Sequence, residues 1–414
     1  MRNVRVWQRL LGVAHSVIES VHFDEDADAL VVSVRPRKRA RQRCGRCGRR
    51  AAWYDRGEGR RRWRHLDVGE LRCWLEADAP RVACPEHGPT VIQVPWARHG
   101  AGHTRSFDDQ VAWLAVHTSK TAVTELMRIA WRTVGAIVTR VVADARAFAD
   151  PFDGLVRIGI DEISYKRGHR YLTIVVDHDS GRLVWAAAGR DKKTLEGFFD
   201  LLGDERARNL KVISADGAEW IETVVAERAP NAALCTDAFH VVAWATGALD
   251  VVRRDTWNEA RRNGATDHAR ELKGARYALW KNPEDLTWRQ ERKLAWIAKV
   301  NGRLYRAYLL KEQLRAVFRY RHRSAIDMLH AWLSWASRSR IPAFVELARK
   351  IRRHRPGIEA ALDHDITNAL IESTNTKLRL LTRIAYGFKS PDALIALALL
   401  DRGGYCPNLP GRAA

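Results

Sequence analysis

The chain has 414 residues, 46% of them hydrophobic, which is enough for roughly two to four packed domains and excludes wholesale disorder. Its 70 Lys and Arg against 49 Asp and Glu give a formal charge of +21, which indicates a polyanionic partner, nucleic acid first. No stretch has the roughly 18 uncharged apolar residues of a membrane span, and residues 1–11 lack a long apolar core. We therefore predict a cytoplasmic protein with no membrane partner.

Two metal-ligand pairs lie in the N-terminal part of the chain. Cys44 and Cys47 form a Cys-x2-Cys pair, and after a 37-residue step Cys84 and His87 form a Cys-x2-His pair. Three thiolates and one imidazole are donors that tetrahedral zinc favours, and six cysteines in the whole chain are too few for a disulfide scaffold. Residues 1–100 are therefore predicted to be a DNA-recognition domain with a structural Zn²⁺.

Residues 101–150 change to the apolar periodicity of helices. Helices are predicted over residues 108–118, 122–130 and 133–143, with Ser119 in the cap of the second. Short helices joined by a brief turn indicate a helix-turn-helix, although any compact three-helix linker has the same periodicity. The basic charge favours DNA binding. The candidate DNA contacts are Arg132, Thr133 and Arg140.

Residues 151–240 contain β-like runs interleaved with helices. The runs cover residues 157–162, 171–177, 182–188, 210–215 and 232–236, and helical segments lie at 192–202 and 218–228. The order predicts an α+β fold in which a three-strand meander, a crossover helix and parallel strands form a mixed five-stranded sheet. Asp161 and Asp216 follow apolar runs that this topology places side by side.

The rest of the chain is predicted to be helical. Residues 241–365 are basic and rich in tryptophan, and are interpreted as an all-helical insertion domain. Residues 366–414 then return to the core with a helix that carries four polar residues on one face. These are Glu372, Asn375, Arg379 and Arg383. One carboxylate, one amide and two cations suit a metal site that passes into a phosphate-binding ridge.

The acids in this order are typical of metal-dependent phosphodiester chemistry. Two Mg²⁺ ions about 3.5–4 Å apart stabilise the attacking and leaving oxygens, and Mg²⁺ prefers oxygen ligands. Because side chains alternate along a strand, we expect Asp161 to bridge both ions and Glu162 to point away from them. Asp216 and Glu372 would each complete one ion. Asp237, which is followed by His240, is the strongest alternative for the second acid, and the choice stays open.

These motifs together carry a resemblance to a known family. They are the Cys44/Cys47 and Cys84/His87 pairs, the helix-turn-helix near 107–145, and residues 160–162, 236–242, 272–277, 366–375 and 385–388. In this order they resemble the ISL3 family of bacterial insertion-sequence transposases over nearly the whole chain. Ala238 stands where arginine is common in that family, and Ser373 where glycine is common.

The resemblance implies a DDE transposase acting on the terminal inverted repeats of an insertion sequence. Its core would be RNase H-like, interrupted by the all-α insertion. Asp161 and Glu372 would take the first and third acidic positions, and Asp216 is favoured for the second. Two Mg²⁺ ions, with Mn²⁺ as an alternative, would be the catalytic cofactors.

Further expectations concern partners and alternatives. Double-stranded DNA is the expected partner and no small-molecule substrate is expected; a homodimer would hold two ends in a synaptic complex at the bacterial nucleoid. Further candidate DNA contacts are His240, Asn375, Lys377, Arg379 and Arg383. The alternatives are a domesticated, non-catalytic DNA-binding regulator and an RNase H-like nuclease without strand transfer.

Overall fold

The computed structural model describes residues 2–320, 322–364, 366, 369–385, 387–388 and 390–412. Some residues of the segments named in the sequence analysis lie outside these described ranges, namely Asp365, Thr367, Asn368 and Tyr386. The chain divides into two compact units, Met1–Pro151 with Leu380–Ala414 and Phe152–Arg379. Among the described helices, none has the length and apolar character needed to cross a bilayer.

The first unit begins with one helix and seven strands. These are α1 (Arg2–Leu11), β1 (Ser16–Asp24), β2 (Ala29–Pro36), β3 (Ala52–Asp55), β4 (Arg60–Val68), β5 (Leu71–Asp78), β6 (Arg81–Cys84) and β7 (Gly88–Val91), with a 3-10 turn at Lys38–Ala40. They form a four-stranded sheet in the order β1-β2-β5-β4 and a three-stranded sheet in the order β3-β6-β7. Buried Val32, Trp63 and Leu75 share one core with the cysteine pairs.

A trihelical segment follows in the same unit, as the sequence predicts. It consists of α2 (Arg105–His117), α3 (Lys120–Met127) and α4 (Trp131–Arg146). The Ser119 side chain caps α3 by accepting a hydrogen bond from the Ala122 N–H at 3.2 Å. Helix α3 ends before the predicted residue 130 because Arg128 takes the left-handed conformation, with φ of 51°. Helix α4 accordingly begins at Trp131.

The second unit is built on a mixed five-stranded sheet, in the order β10-β9-β8-β11-β12. Its elements are β8 (Arg157–Lys166), β9 (Arg170–Asp177), β10 (Leu183–Ala188), α5 (Lys192–Leu202), α6 (Asp204–Asn209), β11 (Val212–Ala215), α7 (Glu219–Arg228) and β12 (Ala233–Thr236). The first three strands are antiparallel, and β8, β11 and β12 run parallel. The mixed sheet is therefore the one predicted. Ile158 and Ile160 of β8 pack with Phe198 of α5 in its core.

After β12 the described residues contain helices and no strand. The helices are α8 (Ala238–Arg262), α9 (Thr266–Lys273), α10 (Arg276–Trp280), α11 (Trp288–Val300), α12 (Gly302–Val317), α13 (His322–Arg338), α14 (Pro342–Arg353), α15 (Arg355–Asp363), α16 (Ala369–Ile384) and α17 (Pro391–Arg402), with a 3-10 turn at Pro283–Asp285. Helices α8 to α15 share a core around the fully buried Trp332. In the first unit, α17 packs against α2 and α4.

Candidate metal centres

Four side chains of the first unit converge as the spacing predicts. Cys84 ends β6, and the turn after it returns His87 towards the thiol, with Nδ1 3.6 Å from Sγ of Cys84. Cys47 Sγ lies 3.7 Å from Cys84 Sγ, and Cys44 Sγ lies 3.8 Å from His87 Nδ1. All four donor atoms lie within 4.8 Å of one another. Among the described residues, this is the cluster of Cys, His, Asp and Glu side chains tight enough to surround a metal ion.

The distances fit tetrahedral zinc. Bonds of about 2.3 Å to sulfur and 2.0–2.1 Å to nitrogen imply tetrahedral edges of roughly 3.8 Å between sulfurs and 3.6 Å between sulfur and nitrogen. The observed separations of 3.6–3.8 Å match these edges. The hydrogen bond with the His87 imidazole lowers the pKa of the Cys84 thiol to about 6, so this donor is already biased towards the thiolate that binds zinc. The cluster can hold one structural zinc ion.

A second site lies at the ends of the parallel strands in the other unit. Ser214 of β11 pairs with Gly159 of β8 and Ala215 pairs with Thr236 of β12. Continuing this register brings Asp216 level with Asp161 on one side and with Asp237 on the other. Three carboxylates are therefore level with one another across neighbouring strands. Asp216 and Asp237 follow the ends of β11 and β12, whereas β8 continues to Lys166, so Asp161 lies inside its strand and not at the end as the sequence predicts.

Helix α16 adds the third predicted acid to this edge. Glu372, Asp161 and Asp237 line one cleft of 440 Å³, and Asp216 is not among its lining residues. Burial, and then the charges of Asp237 and Asp161, raise the pKa of Glu372. Burial likewise raises the pKa of Asp161. Carboxylates that disfavour one another's charge in this way are stabilised by a shared divalent cation.

Asp237 makes two hydrogen bonds inside the protein. Its Oδ1 accepts a hydrogen bond from the Phe239 N–H at 2.9 Å and so caps α8, and its Oδ2 accepts one from His240 Nδ1 at 2.6 Å. This hydrogen bond, more than the neighbouring charges, raises the pKa of His240. The raised pKa favours the charged form of the imidazole in the cleft that His240 lines. The predicted role of His240 in DNA binding is compatible with this position.

One expectation about the first strand needs correction. Asp161 and Glu162 do point to different partners, since Asp161 meets Asn375 and Glu162 accepts a hydrogen bond from Arg190 Nε at 3.1 Å. Both nevertheless line the cleft. Burial, followed by the charge of Asp216, raises the pKa of Glu162 to about 7. Glu162 and Arg190 thus belong to this site, and alternation along the strand alone could not reveal it.

Two predicted DNA contacts are engaged inside the protein. Asn375 is only 5% exposed, and its Nδ2 donates a hydrogen bond to Asp161 Oδ2 at 2.6 Å. Arg140 donates from Nε and Nη2 to the two oxygens of Asp108, at 3.0 and 3.1 Å. Since Asp108 is fully buried, this pair holds α4 to α2. The geometry therefore assigns both side chains to internal contacts in place of DNA.

The other predicted DNA contacts are more accessible. Arg132, Arg379 and Arg383 are exposed, and Thr133 and Lys377 are partly exposed. Arg132 and Thr133 occupy the first turn of α4, where a recognition helix presents side chains to base edges. Arg379 lines the acidic cleft two helical turns after Glu372, on the same face of α16. Side chains at these positions can contact phosphate or base groups with no change in the fold.

Comparison with known proteins covers all of these segments. Residues 158–398 match an ISL3-type family model described as "Transposase", residues 92–142 match the "Helix-turn-helix domain of transposase family ISL3", and residues 40–87 match the zinc-finger of transposase IS204/IS1001/IS1096/IS1165. The transposase for insertion sequence element IS1557 of Mycobacterium tuberculosis is 62% identical over 437 residues, 100% of this chain and 98% of that protein. The transposase for IS1001 of Bordetella parapertussis is 26% identical over 380 residues, 91% of this chain and 92% of that protein.

Proposed function

The chain belongs to the ISL3 family of insertion-sequence transposases, and we propose that its acidic cleft is the two-metal centre that cuts and joins DNA at the element's ends. It is a DNA transposase of the DDE class, with a helix-turn-helix and a zinc ribbon. What remains to be assigned is which residues perform each step.

The catalytic core is RNase H-like in this proposal. The support is the strand order, in which three antiparallel strands are followed by a helix and two parallel strands, with β8 and β11 adjacent at the centre. The helical segment between β12 and α16 would then be an insertion into that core. It separates Asp237 from Glu372 in sequence while both line one cleft.

We assign the metal ligands to Asp161, Asp216 and Glu372. Asp161, at the central strand, would bridge two Mg²⁺ ions, and the other two acids would each complete one. Bound metal would supply neutralisation of the phosphate and activation of the attacking water or 3′-hydroxyl. The acids hold and space the ions. Arg379, and His240 in its charged form, would offset the phosphate charge beside them.

DNA recognition is assigned to the first unit. The zinc ion would fix the Cys44–His87 module, and exposed Arg132 and Thr133 at the start of α4 would contact the terminal inverted repeats. Lys377, Arg379 and Arg383 on α16 would contact the backbone near the cleavage point. Since two ends have to be joined, a homodimer in a synaptic complex is proposed, working at the nucleoid where its DNA lies.

The observation that carries the proposal is the placement of Asp161 beside the Glu372 side chain in one cleft, level with Asp216 in the strand register. Asp161→Asn is the test, because it removes the bridging charge while keeping the shape of the side chain. We expect Mg²⁺-dependent cleavage of a labelled inverted-repeat duplex to fall to background while gel-shift binding is unchanged. Asp200→Asn, on the exposed surface of α5, is the matched control.

The same assay separates the alternatives. A wild-type protein that binds the duplex but never cuts it would be a regulator. Cleavage without joined products on a target plasmid would indicate a nuclease that lacks strand transfer. Retained cleavage in the Asp161→Asn variant would remove this cleft from the mechanism.

A further inference from the structure

Helix α16 and strand β8 meet at a point where there is no room for a side chain. A Cβ atom on Gly159 would stand 2.1 Å from Cδ1 and 2.9 Å from Cγ1 of Ile371, far inside the roughly 3.5–4.0 Å of carbon contact. Gly159 does not have a positive φ, so glycine is required here by space and not by backbone conformation. Ile371 thus occupies the space that any other residue at 159 would fill.

A second side chain, that of His178, confines the same space beside Gly159. The same Cβ atom would stand 2.9 Å from Nε2 of His178, which is buried and hydrogen-bonded to Ser214 Oγ at 2.8 Å. Ile371 itself is fully buried. A side chain at 159 would therefore have to displace the buried Ile371 side chain of α16, the imidazole of His178, or both.

A second contact lies one helical turn further on. Asn375 follows Ile371 by four residues, a rise of about 6 Å along a helix, and Asp161 follows Gly159 by two residues, about 6.6 Å along a strand. These two distances are nearly equal. The helix can therefore place Ile371 against Gly159 and, one turn later, Asn375 against Asp161, to which it donates a hydrogen bond. Sliding the helix by one residue would break both contacts.

Glu372 is the residue placed by this docking. It directly follows Ile371, and it reaches the cleft lined by Asp161 while Ile371 is held against the sheet. We propose that the Gly159–Ile371 contact sets the distance between Glu372 and Asp161, which makes Gly159 and Ile371 positioning residues for the metal centre. The inference rests on the function proposed above and adds two residues that do not touch metal or DNA.

A double-mutant cycle in the full-length protein tests it. Gly159→Ala introduces the clash, and Ile371→Ala empties the space by removing three carbon atoms. The double variant returns one of those three carbons, so it has no clash and a smaller cavity than Ile371→Ala alone. We expect each single variant to lose about 10- to 100-fold in Mg²⁺-dependent cleavage, because small misplacements of catalytic groups have effects of that size. The double variant should recover most of the loss. Ile221→Ala, in the same unit but on α7, is the control for a plain core cavity.

A second readout does not depend on activity. Mn²⁺ binding is followed by the rise in melting temperature on titration, with Asp161→Asn as the baseline that lacks the bridging ligand. We expect a weaker Mn²⁺ response in both single variants, a restored one in the double variant, and an unchanged one in Ile221→Ala. Gel-shift binding of the inverted repeat reports folding of the DNA-recognition segments in each sample.

The outcomes separate the two proposals. If the wild type shows neither metal-dependent cleavage nor an Mn²⁺ response, the proposed function fails and this inference with it. If the wild type is active but Gly159→Ala matches it, or the double variant recovers nothing over Gly159→Ala, the positioning role is overturned while the function stands. Should Gly159→Ala fail to fold, recovery of folding, cleavage and Mn²⁺ response in the double variant supports the contact, and no recovery overturns it.

Discussion

Asp216 and Asp237 end adjacent parallel strands, yet their carboxylates are used differently. Asp237 uses Oδ1 to cap α8 and Oδ2 to hold His240, whereas Asp216 uses Oδ1 for the Ala218 N–H at 3.0 Å. Within the described residues no hydrogen bond engages Oδ2 of Asp216. Asp216 also lies on the strand next to Asp161, while Asp237 lies one strand further away. These two differences support the proposal that Asp216 is the second metal ligand, even though Asp237 and not Asp216 lines the cleft with Glu372.

This difference predicts that two similar substitutions have different effects. Asp216→Asn should reduce cleavage to background, because a metal ligand is lost, with little change in melting temperature. Asp237→Asn should retain measurable cleavage and lose about 1 kcal/mol of stability, since an amide caps a helix well but holds His240 less strongly. Cleavage of the inverted-repeat duplex and thermal unfolding of the same samples give the comparison. If only Asp237→Asn abolishes cleavage, the assignment is reversed.

The zinc cluster predicts one zinc ion per chain, and it predicts that loss of this ion weakens DNA binding. Cys84→Ser should remove most of the bound zinc and weaken inverted-repeat binding at least tenfold, because structural zinc contributes folding free energy to its module. Cys406→Ser is the matched control, since Cys406 lies outside the cluster. Zinc per chain is measured by elemental analysis alongside the gel shift. Equal zinc content in the two variants would contradict the site.

Local signals in the sequence were sufficient to predict the zinc ligands and two acids of the proposed catalytic metal centre. The zinc ligands follow from residue type and spacing, since each pair is closed by its own turn. Asp161 and Asp216 follow from apolar runs that lead into an acid, and the parallel register of β8 and β11 brings the two positions level although β8 continues to Lys166. Both kinds of inference use only residues close together in the chain and the order of elements.

The remaining features depend on contacts between residues that are far apart in the chain. Glu372 and Asn375 lie near one helical face, but only docking of α16 on β8 turns Asn375 inward and leaves Glu372 at the cleft. Gly159 lies inside a strand, which is a known sign of close approach by another element, but the sequence does not show that this element is α16. Arg140 and Asp108 are 32 positions apart, so helical periodicity could not show that they pair.

That pair gives a prediction that separates folding from DNA contact. Arg140→Ala should lower the free energy of unfolding by roughly 3 kcal/mol, because it leaves the buried Asp108 with Arg98 as a more distant partner at 3.6 Å. Arg132→Ala should leave stability unchanged and weaken end binding, with the salt dependence of log K reduced by about 1. Urea unfolding and gel shifts at several salt concentrations distinguish them. Equal effects of both substitutions on the salt dependence would restore Arg140 as a DNA contact.

Buried His65 predicts how stability changes with pH. Burial, assisted by the charge of Arg64, lowers the pKa of His65 to about 4, while Nδ1 remains hydrogen-bonded to Thr104 Oγ1 at 2.9 Å. The unfolded chain has the ordinary value near 6.5 and so binds a proton first as pH falls. The contribution of neutral His65 to the free energy of unfolding is therefore fully present above about pH 6.5. It falls from there to about pH 4, by at most about 1.4 kcal/mol per pH unit.

His65→Asn, which keeps a polar atom near Nδ1, should lose this part of the pH dependence of the free energy of unfolding, whereas exposed His22→Asn should keep it. Urea unfolding at pH 7.5, 6.5 and 5.5 provides the test, and identical slopes for the two variants would contradict it.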